Sequence, residues 1–172
     1  MDRYYLQVYT GDGKGKSTAA AGLCLRALGR GKKIALIPFY KSAPSGEHLA
    51  LERLGGRVER GEPPEAAPWV KEAKAAWKEH SRDQFQRGGQ ILQQGEIDLL
   101  VMDEMIHALQ KGDISREAAE DFIALAREKA ELVLTGRNAP EWLVEEADLV
   151  SEILDRKHYY ERGLAAREGI EF

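Results

Sequence analysis

The stretch that decides the fold is Thr10-Gly11-Asp12-Gly13-Lys14-Gly15-Lys16-Ser17-Thr18. The apolar run Tyr4-Tyr5-Leu6-Gln7-Val8-Tyr9 precedes it, and Ala19-Ala20-Ala21-Gly22-Leu23-Cys24-Leu25-Arg26-Ala27-Leu28 follows. Strand, glycine-rich turn and helix in that order are the context a phosphate-binding loop requires. The glycines let the backbone curl so that successive N–H groups face inward as an anion nest, and the helix start adds its unpaired N–H groups and dipole. Lys16 would bring an ammonium to the phosphates and Ser17 a hydroxyl to Mg²⁺. The spacing G-x-x-x-x-G-K-[ST] asks for glycine at position 10, where this chain has Thr10. A bare glycine-rich turn requires neither the Lys-Ser pair nor the strand before it, so this is a nucleotide-binding loop.

Outward from the loop, strands alternate with helices. Gly29-Arg30-Gly31 supplies a stop for the first helix. The run 33–40 is a second, mostly apolar strand, and Pro38 predicts that its pairing loosens near the end. A short helix over 47–54, a brief strand at 57–60 and a turn-rich break at Gly61-Glu62-Pro63-Pro64 follow. The span 69–94 reads as helical, with Trp69, Ala73, Ala76, Trp77 and His80 along one stripe and a kink or break expected at Gly88-Gly89. Ile97 to Glu104 gives a third strand. Ser115 is a predicted N-cap for a helix to about Lys129. A strand at 132–135, a short helix at 141–146 and a strand at 149–154 close the series. This alternation predicts one α/β domain over 1–172, a P-loop NTPase-like (RecA-like) three-layer sandwich around a mostly parallel sheet.

The third strand ends in Met102-Asp103-Glu104, an apolar run closed by acid. Either Asp103 or Glu104 could hold Mg²⁺, directly or through water, since a hard cation prefers oxygen; Glu104 could instead be a base that activates water. Arg137, after the strand ending at Thr135, and Lys41, after the second strand, would point into the same crevice, because ligands of parallel sheets sit at the carboxyl ends of the strands. Taken alone, each is as readily a surface cation. Trp77, on a helix, is more often core than a ligand platform. The basic, aromatic tail Lys157-His158-Tyr159-Tyr160-Glu161-Arg162-Gly163 reads equally well as a solvated end.

Composition narrows the classes. The 172 residues carry 43% hydrophobic side chains, a net charge of −4 and one cysteine. The charge argues against general nucleic-acid binding. No apolar run approaches the roughly 20 residues that span a bilayer, and the N-terminus lacks a signal-peptide pattern, so no membrane contact and a cytoplasmic location are expected. A lone Cys24 among alanines and leucines predicts a small core residue. The four histidines share no metal-ligand spacing.

Several pieces in order resemble one family: the loop T-G-D-G-K-G-K-S-T-A-A, the strand ending M-D-E, T-G-R-N-A-P, A-D-L-V-S-E and the closing K-H-Y-Y-E-R-G-L-A-A-R-E-G-I-E-F. Over residues 6–172 the chain resembles the P-loop type ATP:corrinoid adenosyltransferases, whose loop typically reads G-N-G-K-G-K-T-T. Asp12 and Ser17 depart from that pattern but keep the chemistry. The resemblance implies transfer of the 5′-deoxyadenosyl group of ATP to the Co(I) of a reduced corrinoid with release of triphosphate. It implies that residues 10–18 wrap the triphosphate (often with ATP reversed in the loop), that Lys16 neutralises it, and that Ser17 with Glu104 holds the cation. Relatives can set two aromatics spaced x-F-x-W against the corrin; here Lys74-Ala75-Ala76-Trp77 retains only Trp77. Some relatives also cover the site with a helix before the first strand, which this chain would have to replace from elsewhere or lack. A homodimer and an electron-donor protein partner are further implications. A competing class, a P-loop ATPase or nucleotide switch of RecA-like architecture, would use Glu104 to activate water.

Overall fold

The computed structural model describes residues 4–171; the Phe172 that closes the C-terminal motif lies outside the described residues. Six strands are joined by helices: β1 (Leu6–Thr10), β2 (Ile34–Pro38), β3 (Arg57–Val58), β4 (Leu99–Asp103), β5 (Glu131–Thr135) and β6 (Leu149–Glu152). The helices are α1 (Lys16–Leu28), α2 (Gly46–Arg53), α3 (Lys74–Gln94), α4 (Met105–Gln110), α5 (Arg116–Lys129) and α6 (Glu141–Glu146). All six strands run parallel in the order β3-β2-β4-β5-β1-β6. The loop strand β1 and the acid-ended strand β4 are thus separated by one strand, β5, which is the RecA-like arrangement.

Period-two alternation builds two cores on this sheet. Leu6, Val8, Ala35, Ile37, Leu100, Met102, Leu132 and Leu134 face α3, α4 and α5 in the larger core. Ile34, Leu36, Leu99, Val101 and Val133 face α1 and α2 in the smaller one. Helices on both faces make the three layers, and strands covered on both sides read as continuous apolar runs. Cys24 is fully buried in the smaller core, and burial pushes its thiol up to about 12.

Three local expectations shift. First, α3 is one helix of 21 residues through Gly88-Gly89 rather than two. Gly88 is there for space: a Cβ on it would lie 2.8 Å from the Met102 methyl and 3.1 Å from the Phe122 ring. Second, α3 begins at Lys74 after a 3₁₀ turn at Lys71–Ala73, and Trp69, ahead of that turn, is 84% exposed. Third, Pro38 pairs in register with Asp103. Its missing N–H lies on the β3 side, where β3 has already ended at Val58, and Gln84 Nε2 donates to the Pro38 carbonyl there at 3.2 Å. Ser115 caps α5 as expected, accepting from the Ala118 N–H at 3.2 Å.

Candidate functional site

The phosphate loop leaves an interior strand of the sheet, because β1 is paired on one side with β5 and on the other with β6. The carboxyl ends of β1, β2, β4 and β5 therefore open on one cleft of about 880 Å³. Asp12, Gly13, Lys14, Gly15, Lys16, Ser17 and Thr18 line it, together with Lys41, Glu104 and Arg137. Lys16 is 7% exposed, and its Nζ donates to the Gly13 carbonyl at 2.8 Å. Burial lowers its pKa, partly opposed by the charge of Glu104. No carboxylate lies within ion-pair distance of the Lys16 or Arg137 side chain among the described residues. Two such cations facing one cleft beside a helix N-terminus favour a multiply charged anion.

The two acids after β4 part company. Asp103 is 2% exposed and sits beneath the loop rather than in the cleft. Lys41 Nζ lies 2.8 Å from its Oδ2, and the Thr135 hydroxyl donates to its Oδ1 at 2.6 Å. Burial by itself pushes the Asp103 carboxyl up, but Lys41, Thr135 and the Ser17 hydroxyl outweigh it and hold it below the ordinary value. Burial by itself pushes the Lys41 ammonium down, but the charges and hydrogen bonds of Asp103 and Glu47 together outweigh it and raise its pKa. Glu104 follows with φ 64°, a left-handed conformation that costs of order 1–3 kcal/mol for a residue with a Cβ. The Thr135 hydroxyl steadies that turn by accepting from the Glu104 N–H at 2.8 Å. The turn sends Glu104 into the cleft, where burial first and Asp103 second raise its pKa.

The donor set suits a hard cation. Ser17 and Glu104 both line the cleft, whereas the Asp103 oxygens are engaged by Lys41, Thr135 and Ser17. Among the described residues no cluster of three or more His, Cys, Asp or Glu side chains is arranged for a metal. A cation here would draw its remaining ligands from phosphate and water, as Mg²⁺ usually does.

Besides Asp103, three residues expected at the site lie elsewhere. Thr10 is 8% exposed, and its hydroxyl accepts from the Ala139 N–H at 3.0 Å instead of facing the cleft. Gly11 is pressed against the backbone of Ile153, 2.4 Å from the position of an added Cβ. Trp77 is 1% exposed; its Nε1 donates to the Ala66 carbonyl at 2.8 Å and its ring stands 5.3 Å from His80 and 6.0 Å from Tyr40. A tryptophan in that packing presents no face to a ligand.

Conversely, the tail after β6 is part of the cleft wall, through Asp155, His158, Glu161, Gly169, Ile170 and Glu171. The Gly13 N–H donates to the Ile153 carbonyl at 2.7 Å. Lys14 Nζ donates to the Ile170 carbonyl at 2.8 Å and lies 3.5 Å from Glu171. Arg167 and the Tyr159 hydroxyl also bind Glu171 and hold its carboxyl down at about 2. The signal that could have found this wall is the pairing of β6 with β1, which sets whatever follows β6 at the mouth of the loop. That pairing is not visible in residue order.

The profile of ATP:corrinoid adenosyltransferase BtuR/CobO/CobP matches residues 2–172. A corrinoid adenosyltransferase of Pseudomonas aeruginosa is 33% identical over 180 residues, covering 99% of this chain and 85% of the relative. One of Escherichia coli K12 is 30% identical over 172 residues, covering 99% and 87%. One of a Sinorhizobium species is 34% identical over 170 residues, covering 96% and 78%.

Proposed function

The chain belongs to the ATP:corrinoid adenosyltransferase family, and from that premise we propose that it transfers the 5′-deoxyadenosyl group of ATP to the Co(I) of a reduced corrinoid, releasing triphosphate. The observation that carries the reading is the pair of cations without carboxylate partners, Lys16 and Arg137, facing one cleft over the phosphate loop. In the proposed step the cobalt electron pair forms the Co–C5′ bond, the C5′–O bond breaks, and triphosphate departs with that bond's electrons. Little proton movement is required. The task of the protein is to position the nucleotide and stabilise the leaving charge.

Lys16 would move from the Gly13 carbonyl to the triphosphate, the loop N–H groups would bind its oxygens, and Arg137 would meet it from β5. Ser17 and Glu104 would hold Mg²⁺, whose chemistry is to neutralise part of the leaving charge. Asp103, fixed by Lys41 and Thr135, orients the Ser17 hydroxyl from behind. A cytoplasmic homodimer served by an electron-donor protein completes the proposal. No helix among the described residues is long and apolar enough to cross a membrane.

The raised pKa of Glu104 favours one second reading, a P-loop ATPase in which that carboxylate activates water. Phosphorus NMR separates the two. ATP, Mg²⁺ and a chemically reduced corrinoid should yield intact triphosphate in step with a light-sensitive cobalt–carbon bond, with hardly any turnover when the corrinoid is left out. ADP and phosphate formed at the same rate with or without corrinoid would establish the ATPase instead.

A further inference from the structure

Arg137 is exposed on the loop that joins β5 to α6, so its own side-chain surroundings do little to orient it. Its backbone is another matter. Gly136 has φ 148° and Asn138 φ 48°, two left-handed conformations either side of the arginine. Gly136 is pressed on α4: a Cβ there would meet the Ile106 Cβ at 2.7 Å. Gln110, the last residue of α4, donates its Nε2 to the carbonyls of Arg137 at 2.9 Å and Asn138 at 2.6 Å. The next N–H along, that of Ala139, is given to the Thr10 hydroxyl at 3.0 Å. Thr10 occupies the place of the first glycine in the phosphate-loop spacing. A glycine there would have no side chain to accept that N–H, and the half-buried Ala139 amide would lose its partner.

We propose that Thr10 and Gln110 are positioning residues for Arg137, holding the loop after β5 so that its guanidinium stands over the phosphate loop before an anion arrives. The substitution of threonine for glycine at the loop entrance thereby ties the anion-binding backbone of residues 12–16 to a cation contributed from the end of the neighbouring strand, β5. An exposed loop with two left-handed residues would otherwise sample other shapes, and each phosphate contact through Arg137 would have to meet that ordering cost. The inference deepens the proposed function and rests on its reading of the cleft as a triphosphate site.

Calorimetric titration with inorganic triphosphate and Mg²⁺ tests it, using wild type, Thr10→Val, Thr10→Ser, Arg137→Ala and the Thr10→Val/Arg137→Ala double variant. Thr10→Val should weaken binding about tenfold, since a displaced charge-assisted contact loses about that much. Thr10→Ser, which keeps the hydroxyl, should stay within about twofold of wild type. In the Arg137→Ala background Thr10→Val should change nothing further, a non-additivity that a merely structural threonine would not show. Equal losses from Thr10→Val with and without Arg137, or no loss in either, overturn the proposal. Should Thr10→Val fail to fold, the exposed Gln110→Ala, alone and with Arg137→Ala, carries the same cycle and the same two outcomes. Wild type that binds no triphosphate overturns the functional reading itself, whereas binding with additive losses overturns only this inference.

Discussion

The ammonium of Lys41 lies 2.8 Å from the carboxylate of Asp103, so the acid that ends β4 is neutralised from the neighbouring strand rather than left for a cation. Asp103 is 2% exposed, and an unpaired charge at that depth is costly. Lys41→Met should therefore destabilise the fold by about 3 kcal/mol, the low end for a broken buried pair, because the Lys41 side chain keeps 23% exposure. The pH dependence should change with it. In wild type the lowered Asp103 pKa contributes stability above the ordinary carboxylate range, and that stability is lost as pH falls through the folded value. Without Lys41, burial dominates and the sign reverses, so the variant should lose stability as pH rises through that range. Urea unfolding between about pH 2 and pH 8 measures both; a wild-type pH profile in the variant would show that the pair contributes nothing.

Glu104 is shifted the opposite way, and the consequence falls on cation binding. Its pKa is raised by burial and by Asp103, so the carboxyl takes up a proton above the ordinary glutamate value of about 4.3. Mg²⁺-assisted triphosphate binding should weaken as pH falls toward that raised value, while binding without Mg²⁺ should not. Glu104→Gln should abolish the Mg²⁺ dependence and stabilise the ligand-free protein, which no longer holds a charge in that place. Calorimetry across pH 5 to 8 checks this; an Mg²⁺ effect surviving in the variant would move the cation to other ligands.

Trp77 is packed as core, and its loss should read as core. Trp77→Ala should cost about 3–5 kcal/mol of stability, the range for a large buried aromatic. Activity should fall alike on Co(II) and pre-reduced Co(I) corrinoids. A loss confined to the Co(II) substrate would mean that the indole leaves the Ala66 carbonyl and reaches the corrin.

Gly13 serves the tail as well as the phosphates. A Cβ at this position would lie 2.7 Å from both the carbonyl carbon and oxygen of Leu154, which are backbone atoms unable to swing aside. Gly13→Ala should therefore lift the chain after β6 off the loop. Hydrogen exchange should show faster exchange across residues 153–171, including the region that Lys14 holds through Ile170 and Glu171. Unchanged exchange there would mean the tail is held by other contacts.

What the sequence alone determined lies in short stretches whose chemistry is complete within a few residues. The run from Leu6 to Leu28 contains its own strand, nest, lysine and helix, so the phosphate loop is legible wherever the chain goes next. The apolar run closing in Asp103-Glu104 and the Ser115 cap are legible for the same reason. The alternation of strands and helices then leaves a parallel sheet as the economical solution. Only the tertiary structure decided which partners these stretches meet. Thr10 finds the Ala139 amide 129 residues away, and the tail becomes a wall of the cleft because β6 lies beside β1. The division of labour between Asp103 and Glu104 turns on a left-handed residue and on Lys41 and Thr135 from other strands. Trp77 could have faced ligand or core on its periodicity, and the Ala66 carbonyl that takes its indole N–H, with Tyr40 and His80 against its ring, decided for the core. Those contacts join residues remote in sequence through single hydrogen bonds and close approaches. They leave no period and no spacing behind, because each depends on strand order rather than on the residues beside it.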